Sequence, residues 1–157
     1  MRLFRIAKKR FIEDLTGEGA RLYGGRWNKR GSNVLYTSES RSLATVEYLV
    51  HLPISILAND VCIAEIEVQD NVGIQTVEIG QLPSFWMTYP AFPELAAIGE
   101  KWKKESSDLI LKVPSVVVKN EWNYLLNPNH PEFHDVKIIS IEEYIFDQRL
   151  LRRKDES

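Results

Sequence analysis

Three consecutive residues near the start of the chain are suited to binding an anion. In the segment GARLYGGRWN, residues 19–28, Gly24 and Gly25 directly precede Arg26. Glycine lets a backbone or a ligand approach closely. A guanidinium grips phosphate or carboxylate through two parallel hydrogen bonds. This pattern therefore predicts an anion-binding loop, although an isolated arginine after a turn is more commonly a surface residue.

A second segment predicts a carboxylate that faces inward. Leu43, Val46 and Val50 recur with helical spacing, and Glu47 lies on the same stripe at i+4 from Leu43. Burying an ionised carboxylate without partners costs on the order of several kcal/mol. Glu47 therefore needs a cation, a hydrogen-bond donor or a ligand, and Arg26 is the candidate cation. A small rotation of the helix would instead place Glu47 at the rim of the apolar face.

Two hydroxyl-bearing residues have both an ordinary and a functional interpretation. Tyr36 follows Arg26 by ten residues at the end of a short apolar segment, where a core position is usual. Ser115 follows Pro114, and its hydroxyl would ordinarily satisfy nearby backbone. The chain contains no GxxxxGK[ST], GxGxxG or GxSxG pattern, so neither a phosphate loop nor a hydrolase elbow is predicted.

Composition and charge argue against several functional classes. A net charge of −2, with no long basic run before the C-terminus, argues against a general nucleic-acid binder. Cys62 is the single cysteine, so neither a disulfide framework nor a cysteine zinc site is expected. Pro131 lies between His130 and His134 and disfavours a helix that would place both histidines on one face, so no metal site is predicted there. No secretion signal or membrane span is expected, and the predicted location is the cytoplasm.

The order of apolar segments predicts a single α+β domain with a central mixed or antiparallel sheet flanked by helices. Strands are predicted over residues 2–7, 34–37, 61–68, 74–79, 109–113, 115–118 and 136–141, and helices over 40–52 and 93–104. Residues 121–126 are ambiguous, residues 127–131 form a turn, and 82–92 form an aromatic loop that either walls a pocket or packs. The domain is expected to span residues 1–151, followed by a charged tail over 152–157.

Taken together, these segments resemble the RES-domain family, which is named for an arginine, a glutamate and a serine. The resemblance extends from about residue 2 to residue 151. The matching segments are Phe4-Arg5-Ile6, Gly24-Gly25-Arg26-Trp27-Asn28, Val34-Leu35-Tyr36, Leu43-Ala44 with Glu47-Tyr48-Leu49-Val50-His51, Val113-Pro114-Ser115, and residues 123–131, NYLLNPNHP. Phe4 stands where the family has a tyrosine or similar aromatic residue, which removes one hydroxyl.

The resemblance implies a fold similar to ADP-ribosyltransferase toxins and an enzyme that consumes NAD. Members degrade NAD with water or inorganic phosphate, and some are protein ADP-ribosyltransferases. It maps the family's arginine, glutamate and serine to Arg26, Glu47 and Ser115 as catalytic residues. Arg5, Arg26, Tyr36, Gly24 and Gly25 are the implied NAD-binding positions, and no metal is expected.

The resemblance also implies a partner. RES proteins are toxins of bacterial toxin–antitoxin pairs, and their antitoxins are helix-turn-helix proteins of the Xre type. We therefore expect an antitoxin that blocks the active site, and DNA binding by that partner rather than by this chain. A different interpretation is a non-catalytic interaction domain in which Arg26 and Glu47 form a structural ion pair. The basic residues 149–154 are either a solvated end or a contact with the partner.

Overall fold

The computed structural model describes residues 1–52 and 59–151, and the charged tail predicted over residues 152–157 lies outside them. The strands of these described residues are β1 (Arg2–Lys8), β2 (Leu35–Ser38), β3 (Val61–Glu67), β4 (Ile74–Thr76), β5 (Ile110–Pro114), β6 (Trp122–Leu126) and β7 (Lys137–Glu143). They form one mixed sheet in the order β4-β5-β6-β2-β1-β3-β7. Strands β4 and β5 are parallel, and the other neighbouring pairs are antiparallel.

The structure confirms the predicted α+β class with a mixed sheet and corrects several elements. Residues 115–118 are not a strand, because Ser115 begins a turn in which its hydroxyl accepts two backbone N–H groups. The strand predicted over 74–79 ends at Thr76, and the ambiguous segment 121–126 contains β6. A short helix, α1 (Glu18–Tyr23), was not predicted because Gly17, Gly19 and Gly24 punctuate that segment.

Two longer helices pack on one face of the sheet. Helix α2 (Arg41–Val50) begins at Ser40, whose hydroxyl accepts the Leu43 N–H at 3.0 Å. It packs by Ala44 against Ile6 of β1 and Ile63 of β3. Helix α3 (Pro93–Glu105) begins with proline in its first turn and packs against β5 and β6. The opposite face of the sheet is covered by loop residues such as Ile12 and Val136.

The central strands β1 and β2 meet at a single residue pair. Phe4 pairs with Ser38, and no ladder continues between the rest of β1 and the rest of β2. By contrast, β1 pairs with β3 at seven consecutive positions and β2 pairs with β6 along its whole length. The sheet is therefore divided into two well-paired parts, β7-β3-β1 and β2-β6-β5-β4, which diverge at this seam.

Helix α3 holds the glycine-rich loop against the sheet. A Cβ atom on Gly99 would lie 1.7 Å from the carbonyl oxygen of Trp27, so the helix and the loop backbone are in direct contact. Trp27 is buried next to Leu95 and Trp102 of the helix. One residue further along the helix, Glu100 accepts the Lys29 N–H at 3.0 Å. The position of this loop is therefore set by tertiary packing.

Replacing Gly99 with alanine is expected to lower the free energy of unfolding by about 2–3 kcal/mol, or roughly 5–10 °C in Tm. The added methyl group meets backbone, which cannot rotate away. Gly19→Ala is the matched control, because no atom lies within 4 Å of its added Cβ and the residue is helical. We expect that control to be neutral or stabilising by up to about 1 kcal/mol. Equal urea midpoints for the two variants would contradict this packing.

Candidate active site

A large open cleft of about 1070 Å³ lies between α2, the glycine-rich loop and the seam of the sheet. This volume is slightly above the range of about 300–1000 Å³ found for small-molecule sites. The cleft is lined by most of the predicted site residues: Arg5, Gly24, Gly25, Arg26, Tyr36 and Glu47. The opening between β1 and β2 thus brings together residues from distant parts of the chain.

The glycine-rich loop has an internal structural reason for its glycines and for Asn28. Gly24 has a φ of 70°, which side chains other than glycine rarely adopt. Gly25 and Asn28 pair as an isolated antiparallel bridge. The buried amide of Asn28 donates to the carbonyl oxygens of Ala20, Lys29 and Ser32 at 2.9–3.1 Å. Asn28 was not predicted as a site residue, although it is the last residue of the GARLYGGRWN segment.

Tyr36 closes this loop from the sheet side. Its hydroxyl accepts the Trp27 N–H at 3.2 Å and donates to Asn28 Oδ1 at 2.8 Å. A Cβ atom on Gly25 would lie 2.7 Å from that hydroxyl oxygen, so only glycine fits beneath it. Burial raises the pKa of Tyr36 above the ordinary tyrosine value, and the hydroxyl stays protonated in neutral solution. Tyr36 therefore both lines the cleft and fixes the loop.

Replacing Tyr36 with phenylalanine is expected to lower the free energy of unfolding by about 1–3 kcal/mol, because Asn28 Oδ1 and the Trp27 N–H lose a common partner. Urea denaturation followed by circular dichroism measures the change. Tyr89→Phe is the control, because the Tyr89 side chain is 85% exposed and it should change stability by less than about 0.5 kcal/mol. A Tyr36→Phe variant as stable as this control would show that the hydroxyl does not support the loop.

Arg26 extends from this loop to the aromatic loop over residues 82–92. Its Nη1 donates to the carbonyl oxygens of Trp86 at 2.6 Å and Thr88 at 3.0 Å. Burial lowers the pKa of the Arg26 guanidinium, while the negative charge of Glu47 acts in the opposite direction. An arginine remains a cation despite such a shift. The half-buried Arg26 is therefore a weakly solvated positive charge at the cleft.

Arg26 and Glu47 do not form the predicted ion pair. Among residues 1–52 and 59–151, no salt bridge within 4.0 Å joins them. The two groups influence each other electrostatically across the cleft without contact. The expected cationic partner of Glu47 is replaced by two neutral hydrogen-bond donors, described next.

Glu47 is held by residues that come from two other elements. Its Oε1 accepts hydrogen bonds from Ser115 Oγ at 2.7 Å and from Asn123 Nδ2 at 2.6 Å. No described residue donates to its Oε2. The side chain is half-buried and lines the cleft, a position between the inward-facing and the rim placement that the sequence allowed. One oxygen is thus fixed by the protein and the other is available to a ligand.

Ser115 lies behind Glu47, outside the residues that line the cleft. Its oxygen accepts the backbone N–H groups of Val117 and Val118 at 3.1 and 3.0 Å, while its proton goes to Glu47. The hydroxyl is only 4% exposed and has used its donor and both lone pairs. The two interpretations of Ser115, a turn hydroxyl and a site residue, are therefore combined in one contact network.

Arg5 is a second cation at the cleft, and its guanidinium is held by backbone. Its Nη1 donates to the carbonyl oxygens of Phe11 at 3.1 Å and Ile12 at 2.9 Å. Burial lowers the pKa of Arg5, and the charge of Asp14 opposes that effect. Among the described residues, Arg5 and Arg26 are the two lysine or arginine residues that line the cleft.

The aromatic loop both walls the cleft and packs, as its two interpretations allowed. Trp86 is 8% exposed and packs in the core formed with α3. Phe85 and Phe92 contact each other with ring centroids 4.3 Å apart. Met87 and Tyr89 line the cleft and are largely exposed to solvent. The exposed side of this loop thus forms an apolar rim opposite α2.

The described residues contain neither a metal-binding cluster nor a membrane-spanning helix. Within residues 1–52 and 59–151, no group of three or more histidine, cysteine, aspartate or glutamate side chains is placed to hold a metal ion. No helix in those same two segments has the length and apolar character required to cross a bilayer.

Comparison with known proteins identifies the family. The sequence model described as the RES domain matches residues 2–147, which is nearly the whole chain. The chain belongs to the RES-domain family. The resemblance predicted from the sequence is therefore confirmed, and the matched region includes the glycine-rich loop, α2 and β6.

Individual relatives of this RES-domain chain carry toxin names. It is 37% identical over 144 residues to the "Prs ADP-ribosylating toxin" of Sphingobium sp. (strain YBL2), covering 90% of this chain and 89% of that protein. It is also 37% identical over 152 residues to "Toxin Res" of Yersinia enterocolitica, covering 96% and 99%. Its fold is similar to a chain of the M. tuberculosis MbcT–MbcA toxin–antitoxin complex, with a TM-score of 0.72 and 15% identity over 90% and 82% of the two chains.

Proposed function

We propose that this RES-domain protein is the toxin of a bacterial toxin–antitoxin pair and that its cleft binds NAD and cleaves the nicotinamide–ribose bond. The acceptor in this proposal is water or inorganic phosphate, and the result is depletion of cellular NAD. The observation that carries the proposal is the carboxylate of Glu47, with Oε1 held by two donors and Oε2 left at a cleft that also contains Arg26. The toxin names of the relatives support the toxin part of this proposal.

The proposed chemistry assigns a role to each charged group. When the bond between ribose C1′ and the nicotinamide nitrogen breaks, its electron pair neutralises the pyridinium ring and C1′ acquires oxocarbenium character. The Glu47 carboxylate stabilises that positive charge and binds a ribose hydroxyl through Oε2. Water or phosphate then adds to C1′ and a proton is released, which gives ADP-ribose or ADP-ribose 1″-phosphate together with nicotinamide.

The binding roles follow from charge and position. Arg26 neutralises the pyrophosphate, and Arg5 contributes positive charge from the other side of the cleft. Partial burial leaves both guanidinium groups weakly solvated, so an anionic ligand compensates for their lost hydration. Gly24 and Gly25 keep the backbone accessible next to Arg26, and the ring of Tyr36 offers a stacking surface for nicotinamide. Ser115 acts through Glu47 rather than on the ligand.

A second candidate function uses the same cleft with a protein as acceptor. The name of the Sphingobium relative, an ADP-ribosylating toxin at 37% identity, favours this alternative. The third candidate, a non-catalytic domain, depended on an Arg26–Glu47 ion pair, and the described residues form none. The two enzymatic candidates share the bond cleavage and differ in which nucleophile receives ADP-ribose.

The proposal also includes a partner and a cellular location. An enzyme that depletes NAD needs an inhibitor in its own cell, and we propose an Xre-type helix-turn-helix antitoxin that covers the cleft. A carboxylate-bearing segment of that antitoxin would be drawn to Arg26 and Arg5. DNA binding belongs to the antitoxin in this proposal, and the toxin acts in the cytoplasm, where its substrate is found.

Product analysis tests the proposed function. Antitoxin-free protein is incubated with NAD, with and without inorganic phosphate, and the products are separated by chromatography. Nicotinamide release that requires phosphate identifies a phosphorylase, and release without phosphate identifies a hydrolase. Label from adenine-labelled NAD that becomes attached to protein supports the second candidate. Absence of nicotinamide release both with and without phosphate contradicts the hydrolase and phosphorylase functions, and if no label becomes attached to protein either, the second candidate is contradicted as well.

A further inference from the structure

We propose that Asn123, supported by Ser38, is a positioning residue that fixes the orientation of the Glu47 carboxylate toward the ligand. Asn123 Nδ2 lies 2.6 Å from Glu47 Oε1, and Asn123 Oδ1 lies 2.7 Å from Ser38 Oγ. The kinetic part of this inference rests on the proposed cleavage of NAD, whereas the structural part does not.

The direction of each hydrogen bond follows from the chemistry of the groups. An ionised carboxylate only accepts hydrogen bonds, so the amide nitrogen of Asn123 must face Glu47 and its oxygen must face Ser38. Ser38 therefore donates its hydroxyl proton to Asn123. Ser115 also donates to Glu47, because two backbone N–H groups already occupy its lone pairs. This set of bonds has one consistent orientation.

The backbone fixes the supporting pair independently of any ligand. Ser38 and Asn123 are directly opposite each other in the antiparallel register of β2 and β6. Ser38 is also the residue that pairs with Phe4 at the seam between β1 and β2. Both side chains therefore stand at the point where the sheet opens, and Ser38 is only 4% exposed. Glu47 is the one member of the network that a helix supplies.

Two donors on a single carboxylate oxygen have a specific consequence. Rotating the Glu47 carboxylate, or moving it toward the cleft, breaks both bonds at once. Removing Asn123 leaves Ser115 as the remaining donor and allows the carboxylate to change its orientation. Replacing Asn123 with aspartate keeps the shape and turns the donor into a second carboxylate, which repels Glu47. Asparagine is therefore required for its N–H group and its neutrality.

A stability experiment tests the contact without any assay of activity. Asn123→Ala, Glu47→Ala and the double variant form a double-mutant cycle measured by urea unfolding. We expect the double variant to be less destabilised than the sum of the two single changes, because each single change leaves the other group without its partner. Additive effects within experimental error would overturn the proposed contact. If Asn123→Ala does not fold, Ser38→Ala replaces it in the cycle. The Ser38→Ala change removes the hydrogen bond to Asn123 Oδ1 but leaves Asn123 itself in place.

A kinetic experiment separates positioning from ligand binding. For Asn123→Ala we expect kcat for nicotinamide release to fall by about 10- to 100-fold, with KM for NAD within about threefold of the wild type. Asn123→Asp should lower kcat further. Asn129→Asp is the matched control, since it makes the same chemical change at an exposed turn outside the cleft, and its kinetics should equal those of the wild type.

The outcomes distinguish this inference from the proposed function. A rise in KM with unchanged kcat for Asn123→Ala would make Asn123 a ligand contact and overturn the positioning role. Wild-type protein that releases no nicotinamide contradicts the proposed function, and the stability cycle then decides the Asn123–Glu47 contact alone. Non-additive stability together with a loss confined to kcat supports both conclusions.

Discussion

Replacing Glu47 with glutamine is expected to lower the rate of nicotinamide release by about 1000-fold or more, while the fold and NAD binding are retained. Glutamine has nearly the same shape as glutamate. Its side-chain oxygen can still accept from Ser115 and Asn123, so the network of bonds at Oε1 is preserved. What is lost is the negative charge opposite C1′, which matters only as the glycosidic bond breaks. The effect should therefore fall on kcat and leave KM nearly unchanged.

Three measurements check this expectation in the same preparation. Chromatography gives the rate of nicotinamide release, calorimetry gives the affinity for NAD, and urea unfolding gives the stability. Glu105→Gln, at an exposed position near the end of α3, is the control and should behave as the wild type in all three. Full activity of Glu47→Gln would exclude the mechanism proposed above.

Replacing Arg26 with alanine is expected to weaken NAD binding by about 100-fold and to lower turnover as well. The change removes a cation proposed to neutralise the pyrophosphate. It also removes the two hydrogen bonds that fasten the aromatic loop through the carbonyl oxygens of Trp86 and Thr88. Lysine keeps the charge but has no planar fork, so Arg26→Lys should lie between the wild type and Arg26→Ala.

Calorimetry with NAD measures the binding loss, and limited proteolysis of residues 82–92 measures the release of the aromatic loop. Arg30→Ala is the control, because Arg30 belongs to the same loop as Arg26, is exposed and does not line the cleft. Unchanged NAD affinity in Arg26→Ala, with a more easily cut loop, would restrict Arg26 to a structural role.

The sequence contained enough information to place Glu47 but not its partners. The predicted helix is present, and Leu43 of its apolar stripe is buried, but Val50 at the end of that stripe is exposed, and the buried face of the helix is formed by Leu43, Ala44 and Thr45. Asn123 was missed as a site residue because its position depends on the register of β2 with β6. That register brings Asn123 next to Ser38, which is 85 positions away in the sequence. The available signal was its place at the start of the NYLLNPNHP segment.

The interpretation of Arg26 shows a different limit of sequence reasoning. Opposite charges made Arg26 the candidate cation for Glu47, yet carbonyl groups of residues 82–92 hold the guanidinium. Main-chain carbonyls carry no signature in the side-chain pattern, so such partners are invisible until the chain is folded. Gly99 is similar, since the contact that excludes a methyl group there is made by the backbone of Trp27.

The single residue pair between β1 and β2 links ligand binding in the cleft to the stability of the sheet. Elsewhere in the sheet, neighbouring strands are joined by several pairs of residues, but here one pair, Phe4 with Ser38, joins two half-sheets. Residues of both halves line the cleft, for example Arg5 of β1 and Tyr36 of β2. A molecule that contacts both half-sheets would add contacts between them at the place where β1 and β2 share one residue pair. A substrate or an inhibitor would thus reinforce the protein along its least connected line, and release of either would return that line to its weakest state.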